Sequence, residues 1–307
     1  MALKDEIPLG MCLPHRSPDP IDVSVIRQVA QRAEALGFCD LWVTENTLDH
    51  ASCLDALTLL TYAAALTTTI RLGVSVMVLP VHSPIEVAHR VATLDYLSAG
   101  RAVLGVGLGR DYHYAQFQIP RARRVRRFLE SVELIKALWT EQSVTYQGDI
   151  FALAHGVMGP KPVQKPHPPI WVGGGHPDAL KRAARMSDGW MGAGGSSTAA
   201  FKASVPQVRA ALEAAGRDPD AFPISKRVFM SVHERADVAQ AEVHRWFSVV
   251  YRNPDLTAAG GVFGTPTQVC EQLEELVASG ANHLLLNPVT RFPEQVEALA
   301  EVVGLAA

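Results

Sequence analysis

Two stretches of this sequence gather groups that can do chemistry. The first, LWVTENTLDH, ends in Glu45, Asn46, Asp49 and His50, which are two carboxylates, an amide and an imidazole. Carboxylates and imidazoles hold or pass protons near neutral pH, whereas an amide hydrogen-bonds without carrying one. His50 reads equally well as a solvated loop histidine. The second, PPIWVGGGHPDAL, sets Gly173, Gly174 and Gly175 between an apolar run and a helix start with Asp178 in its first turn. Backbone N–H groups without side chains around them, at a helix N-terminus, attract a phosphate. The same glycines also suit a tight turn that needs positive φ, so the residues alone leave both readings open.

Three further segments carry weaker signals. In GVGLGRDYHYAQF, Gly105, Gly107 and Gly109 allow a ligand close to the backbone, and Arg110, Asp111 and His113 enter a pocket mouth or face solvent. In GVSVMVLP, Val74, Val76 and Val78 fit an ordinary core strand. RARRVRRF carries five arginines in residues 121–127. Without interleaved aromatics it does not read as a nucleic-acid surface. It reads as a solvated helix start in which Arg126 or Arg127 pairs with Glu130.

The elements that must position these groups alternate regularly. Short runs rich in Val, Ile and Leu alternate with segments of helical period, as in a parallel sheet covered by helices. The runs are PLGMCL, CDLWVT, IRLGVSVMVL, AVLGVGLG, PIWVGG, DGWMGAG, PISKRVFMSV and NHLLLNP. Eight strand and helix units predict an α/β fold, a TIM (β/α)8 barrel. No Gly-x-Gly-x-x-Gly opens the first helix, which argues against a doubly wound dinucleotide fold. Helices are expected from about Ile21 to Leu36 and from about Cys53 to Leu66. An insertion over about 141–169 follows the fourth helix, its first half a hairpin and its second a proline-rich loop. The stretch YRNPDLTAAGGVFG is expected as a second pocket-shaping loop, with Met158, Phe151, Tyr251 and Phe263 as apolar wall or loop packing. Residues 1–307 form one barrel domain in this reading.

Of the 307 residues, 48% are hydrophobic and 19% charged, enough apolar material for a large core and too much for a disordered chain. A formal net charge of -3 gives no global field toward nucleic acid or anionic membranes. Cys12, Cys39, Cys53 and Cys270 show no paired metal-ligand spacing. They are expected as reduced, buried thiols, with no metal. Asp5, Glu6 and Pro8 break any signal-peptide core, and no apolar run approaches the ~18 residues of a membrane span, so the expected location is cytoplasmic.

Four segments in the right order carry a resemblance to a known family: RLGVSVMVLPVHSPIEVAHRVATLDYLSAGRAVLGVGLG, RRFLESVELIKALW, PPIWVGGGHPDALKRAARMSDGW and GTPTQVCEQLEELVASGANHLLL. Over nearly its whole length the chain resembles the bacterial luciferase-like flavin and F420-dependent oxidoreductases, the luciferase-like monooxygenase superfamily. The resemblance implies a cofactor across the C-terminal ends of the strands, its phosphate at Gly173, Gly174 and Gly175 with the adjoining His176. It implies a non-prolyl cis peptide at Ser75 and Val76, forming a bulge against the ring, with Gly107 beside it. Flavin-type relatives often carry Glu-His, and deazaflavin-type relatives Asp-His, where this chain has Glu45 and Asn46. Asn46 is then a hydrogen-bonding residue to a ring carbonyl, and the proton falls to Glu45 or His50.

The luciferase branch places an arginine at the fourth strand end for the FMN phosphate, and the matching residue here is Leu108, with Arg110 two positions on. The Gly-x-Gly-x-Gly pattern followed by an acidic residue looks more like the deazaflavin branch. The resemblance therefore implies an F420-dependent oxidoreductase moving a hydride between the deazaflavin and a small organic substrate, with a reduced-FMN two-component monooxygenase as the alternative. A barrel hydrolase or lyase, or a binding protein without turnover, stands outside both. Expected partners are the small substrate, a separate reductase or dehydrogenase that regenerates the cofactor, and a second copy in a homodimer, with no nucleic acid or membrane. In that branch the arginine run attracts an oligoglutamate tail, and Trp42, Trp171 and Trp190 lie at strand ends near the cofactor.

Overall fold

The computed structural model describes residues 2–305. Eight parallel strands close on themselves: β1 (Leu9–Cys12), β2 (Asp40–Val43), β3 (Arg71–Val74), β4 (Ala102–Gly107), β5 (Ile170–Gly173), β6 (Gly189–Gly192), β7 (Ile224–Val232) and β8 (His283–Pro288). Each pairs in parallel with its sequence neighbours. β8 pairs with β1 through Leu9 and Leu284, so the barrel has no free edge. All eight expected runs are staves.

Each stave is followed by a covering helix: α1 (Val23–Leu36), α2 (Ala56–Leu66), α3 (Pro84–Leu97), α4 (Arg124–Thr140), α5 (Pro177–Met186), α6 (Thr198–Ala214), α7 (Pro266–Ala278) and α8 (Phe292–Val303). Local chemistry sets their ends. Asp22 caps α1 by accepting from the Ser24 N–H at 2.8 Å, and Gly37 ends it at φ 91°. The caps shift two expected starts inward, α1 to Val23 and α2 to Ala56, where Asp55 accepts from Thr58 N–H.

The staves are short and almost wholly buried, because helices cover the outside and side chains fill the inside. Trp42 and Trp171 meet inside the barrel with ring centroids 5.1 Å apart. Gly73 makes this fit, since a Cβ there would stand 2.4 Å from the Trp42 ring. Both tryptophans also pack on His283 near the N-terminal pole, so neither lies at the cofactor face where the sequence put them. Trp190 does approach that face, through its N–H to the Gly174 carbonyl.

The insertion after α4 forms the expected hairpin, Val144–Gln147 against Ala152–Gly156. Buried Glu130 holds the turn between its strands by accepting the N–H groups of Asp149, Ile150 and Phe151 at 2.8–3.1 Å. Between β7 and α7 a helix (Ala236–Trp246) and a π turn (Phe247–Tyr251) lead into the stretch expected as loop, 251–264, which instead holds a short helix (Leu256–Gly260) and a strand (Gly261–Gly264) parallel to the end of β7. Phe229, Trp246 and Phe247 bury this extension in its own apolar cluster, a tertiary cause that local composition does not announce. Among the described residues no helix is long and apolar enough to cross a membrane. Of the four free cysteines only Cys12 is fully buried, and the other three are half-buried.

Candidate active site

At the C-terminal mouth, β3 ends in a cis Ser75–Val76 peptide, after which Met77–Val78 resumes pairing with β4. The Val76 side chain rests between β4 and β5. A Cβ on Gly107 would collide with it at 2.8 Å and one on Gly173 would crowd it at 3.0 Å. Together the three residues form an apolar ledge at the C-terminal ends of β3, β4 and β5. Beyond β5, Gly174 adopts φ 134°, the turn conformation, while a Cβ on Gly175 would meet nothing within 4 Å. The turn is therefore tight at one glycine and open at the next. Exposed His176 caps α5, its Nδ1 accepting the Asp178 N–H at 3.2 Å.

The carboxylate of Glu45 is held on both oxygens, by the Val78 N–H and by His82 Nε2, each at 2.6 Å. His82 stands edge-on to Phe117 and went unnoticed in the sequence, since it lies far from Glu45 along the chain. Asn46 donates to the Thr44 hydroxyl at 3.1 Å. That hydroxyl stands 2.7 Å from His15 Nε2, which also accepts the Thr44 N–H at 2.9 Å, while Nδ1 lies 2.8 Å from the Leu13 carbonyl it donates to. Burial, with the charges of Arg227 and Arg16, holds His15 down to about 3 against the pull of the Leu13 carbonyl. His15 is thus a neutral structural imidazole.

The remaining predicted groups separate. His50 is exposed, and its recorded contact is a backbone one, its N–H donating to Asp49 Oδ1. Asp49 instead forms a buried ion pair with Arg16. Leu108 packs on the core and Arg110 is exposed. The arginine run is neutralised locally: Arg121 and Arg124 on Asp111, Arg123 on Asp149, and Arg126 on Glu130 and Asp149. The pairing expected of Arg126 is present, and Arg127 lies over the Phe151 ring. The Tyr251 ring lies beneath Arg16, with its hydroxyl at Arg227, and so belongs to the mouth.

Arg227 is the residue that sequence reasoning missed outright, though two adjacent cations inside the strand run PISKRVFMSV were a visible signal. From β7 it crosses to the opposite wall, where Nη1 donates to the Ser75 carbonyl at 2.7 Å. Its neighbour Lys226 points to the loop after β6, donating to the carbonyls of Ala193 and Ser196. Burial and the Arg227 charge push its amine down to about 7. Among the described residues, the buried side-chain atoms lacking a hydrogen bond are Arg16 Nε, Asp49 Oδ2, Arg227 Nε, Trp246 Nε1, Thr257 Oγ1 and Asn287 Oδ1. Three of these side chains come together, since Asp49 pairs with Arg16 and Tyr251 touches both Arg16 and Arg227, which makes that corner a candidate ligand contact.

The opposite pole is saturated. Asp40 accepts from Trp42 Nε1, from Arg71 at 2.8 Å and from His283 Nε2, and His283 Nδ1 lies 2.7 Å from the Ser225 hydroxyl. Burial alone would raise the Asp40 carboxyl, but His283 and Arg71 outweigh it and hold it well below the usual range. Cys39, Asp40 and His283 approach closely enough to share a metal ion. The guanidinium already on Asp40 occupies that position electrostatically, so the trio is built as an ion-pair network.

A sequence model of the luciferase-like monooxygenase family matches residues 7–283. The chain belongs to that family. It is an enzyme of the oxidoreductase class, in a family with both F420-dependent and FMNH2-dependent members. The 5,10-methylenetetrahydromethanopterin reductase of Archaeoglobus fulgidus is 31% identical over 262 residues, 84% of this chain and 73% of the relative. The F420-dependent glucose-6-phosphate dehydrogenase of Kineococcus radiotolerans is 32% identical over 69% of this chain and 64% of its own length. An FMNH2-dependent dimethylsulfone monooxygenase of Pseudomonas putida is 27% identical over 90% and 85%. Among solved structures, an F420-dependent secondary alcohol dehydrogenase holding an F420-acetone adduct superposes with a TM-score of 0.84 at 20% identity, over 98% of this luciferase-like chain and 99% of that one.

Proposed function

We propose that this chain is an F420-dependent oxidoreductase that passes a hydride between the deazaflavin and a small organic substrate. The ledge of Val76 over Gly107 and Gly173, continuous with the open turn at Gly174 and Gly175, is the observation that carries it. A flat ring fits the ledge, and the N–H groups of the turn, with His176, suit its phosphate. The residues present thus fit the group. When bound, the deazaflavin supplies a carbon that gives or takes hydride in a two-electron step. The protein's part is to hold the substrate against that face, exclude water and manage the accompanying proton. Glu45 is the group read as holding the proton, because its carboxylate is oriented by Val78 and His82, whereas His50 lies out on the exposed loop. Asn46 and Ser75 are read as polar contacts to the ring.

A reduced-FMN monooxygenase is the second reading, supported by the coverage of the Pseudomonas putida relative. Against it, position 108 offers a packed leucine instead of a phosphate-binding cation, and Arg110 is exposed. Either reading calls for a separate enzyme to regenerate the cofactor. The continuous barrel supports one domain, and the exposed Ile85, Tyr96 and Leu97 on α3 support a homodimer. The test is titration of the cofactor-free protein with F420 and with oxidised and reduced FMN, followed by tryptophan fluorescence. Tenfold tighter F420 binding, about 1.4 kcal/mol, is expected. Preference for reduced FMN reverses the assignment.

A further inference from the structure

We infer that the substrate carries a carboxylate, and that Arg227 anchors it. This deepens the oxidoreductase reading and rests on it for the word substrate. A guanidinium offers five N–H donors in a fixed fork. Arg227 uses one on the Ser75 carbonyl at 2.7 Å and one on the Tyr251 hydroxyl at 3.3 Å, and its buried Nε–H has no acceptor among the described residues. The side chain is 9% exposed, and among the described residues its charge faces no carboxylate within ion-pair distance. Its other contact is the Phe229 ring, 4.8 Å from Cζ.

The surroundings do not supply the missing charge. Asp49 is committed to Arg16, Glu45 to His82 and the Val78 N–H, and His15 is neutral. Of the two buried arginines here, Arg16 and Arg227, only Arg16 has a carboxylate within ion-pair distance among the described residues. A guanidinium can be buried without a counter-charge where the fold meets all of its N–H groups with acceptors. Arg101 shows what a purely structural arginine looks like in this barrel. All its nitrogens are engaged, with Nε on the Ser98 carbonyl, Nη1 on Thr67 and Ile70, and Nη2 on Ala64 and Thr67. Arg227 has the opposite profile, a fixed fork with donors left over. Its matching acceptor is a carboxylate, taken in a charge-assisted hydrogen bond stronger than a neutral oxygen makes.

The experiment titrates the full chain, without cofactor, with benzoate and with benzamide, two probes of matched shape and different charge, by calorimetry at low and moderate salt. Benzoate is expected to bind at least tenfold tighter, with Arg227→Met reducing the preference to threefold or less and Arg227→Lys retaining part of it. Thermal melts identify any variant that fails to fold. Tyr251→Phe, which keeps the charge and removes one anchor, is the second variant, with an expected twofold to fivefold loss for benzoate alone. Equal binding of the two probes by the wild type, or an undiminished preference in folded Arg227→Met, overturns the inference. With F420 bound, retained benzoate preference supports a substrate carboxylate. Displacement of benzoate by F420 assigns the anion position to the cofactor and overturns the substrate assignment. Because the first titrations need no cofactor, a protein that binds neither F420 nor FMN fails the oxidoreductase reading without touching the anion result.

Discussion

Arg101, near the N-terminal pole, gives every guanidinium nitrogen to protein acceptors, whereas Arg227, at the mouth, leaves its Nε–H without one. The same contrast holds for carboxylates: Asp40 is enclosed by four side-chain donors, while Asp49 serves one arginine of two. Polar groups at the pole are satisfied by the fold itself, and those at the mouth are satisfied only in part. A fold that can saturate one end has no general obstacle to saturating the other, and the anion anchor proposed at Arg227 is a reading of that deficit.

The strongest way to break this comparison is at the pole. Asp40→Ala leaves the Trp42, Arg71 and His283 donors unpaired, with an expected loss of roughly 3–5 kcal/mol in urea unfolding. Cofactor affinity per folded molecule should stay the same, and a parallel loss of affinity would mean that the two ends are coupled. Acid titration comes next. Folded His15 stays neutral down to about pH 3, whereas the unfolded chain takes that proton below about pH 6.5. The unfolded state therefore binds more protons in that window, so this contribution is fully present above pH 6.5 and lost as pH falls toward 3. It is on the order of 5 kcal/mol by that interval. Denaturant unfolding across the window should show the slope, and His15→Gln should flatten it.

Arg101→Met should cost roughly 3 kcal/mol and Arg227→Met about 1 kcal/mol, since only the first abandons a full set of acceptors. The reverse order in thermal melts would remove the basis for treating the mouth as unfinished. Gly175→Ala sharpens the contrast further, because its Cβ meets open space. It should change stability by less than about 0.5 kcal/mol while weakening cofactor binding about tenfold, roughly 1.4 kcal/mol. At the small end, His50→Ala should leave stability and cofactor affinity within error, whereas Glu45→Gln should alter the pH dependence of turnover. An equal effect of the two would return His50 to the proton's path.

The barrel was legible because each stave is a short apolar run bounded by turn chemistry, and closure follows from having eight of them. Gly173 to Gly175 and Glu45 were legible because glycine runs and carboxylates at strand ends have local meaning. His82 and Arg227 were not, since each acquires its role from a partner far along the chain: Glu45 for the first, and Ser75 and Tyr251 for the second. The helix and strand between β7 and α7 were read as loop because Phe229 and Trp246, which bury them, lie outside the stretch being read. Trp42 and Trp171 were placed at the mouth by position in sequence alone. The small residue at Gly73, which lets the Trp42 ring fill the barrel interior, is informative only once the strands are paired.

The hairpin that follows α4 is a closed loop rather than a free arm. Its two chain ends continue into α4 and β5, and buried Glu130 ties down the turn between its strands by gathering three successive amide hydrogens. A residue added to either strand therefore has to bulge out between two fixed ends, whereas loss of the Glu130 carboxylate frees the tip and leaves the staves below as they are.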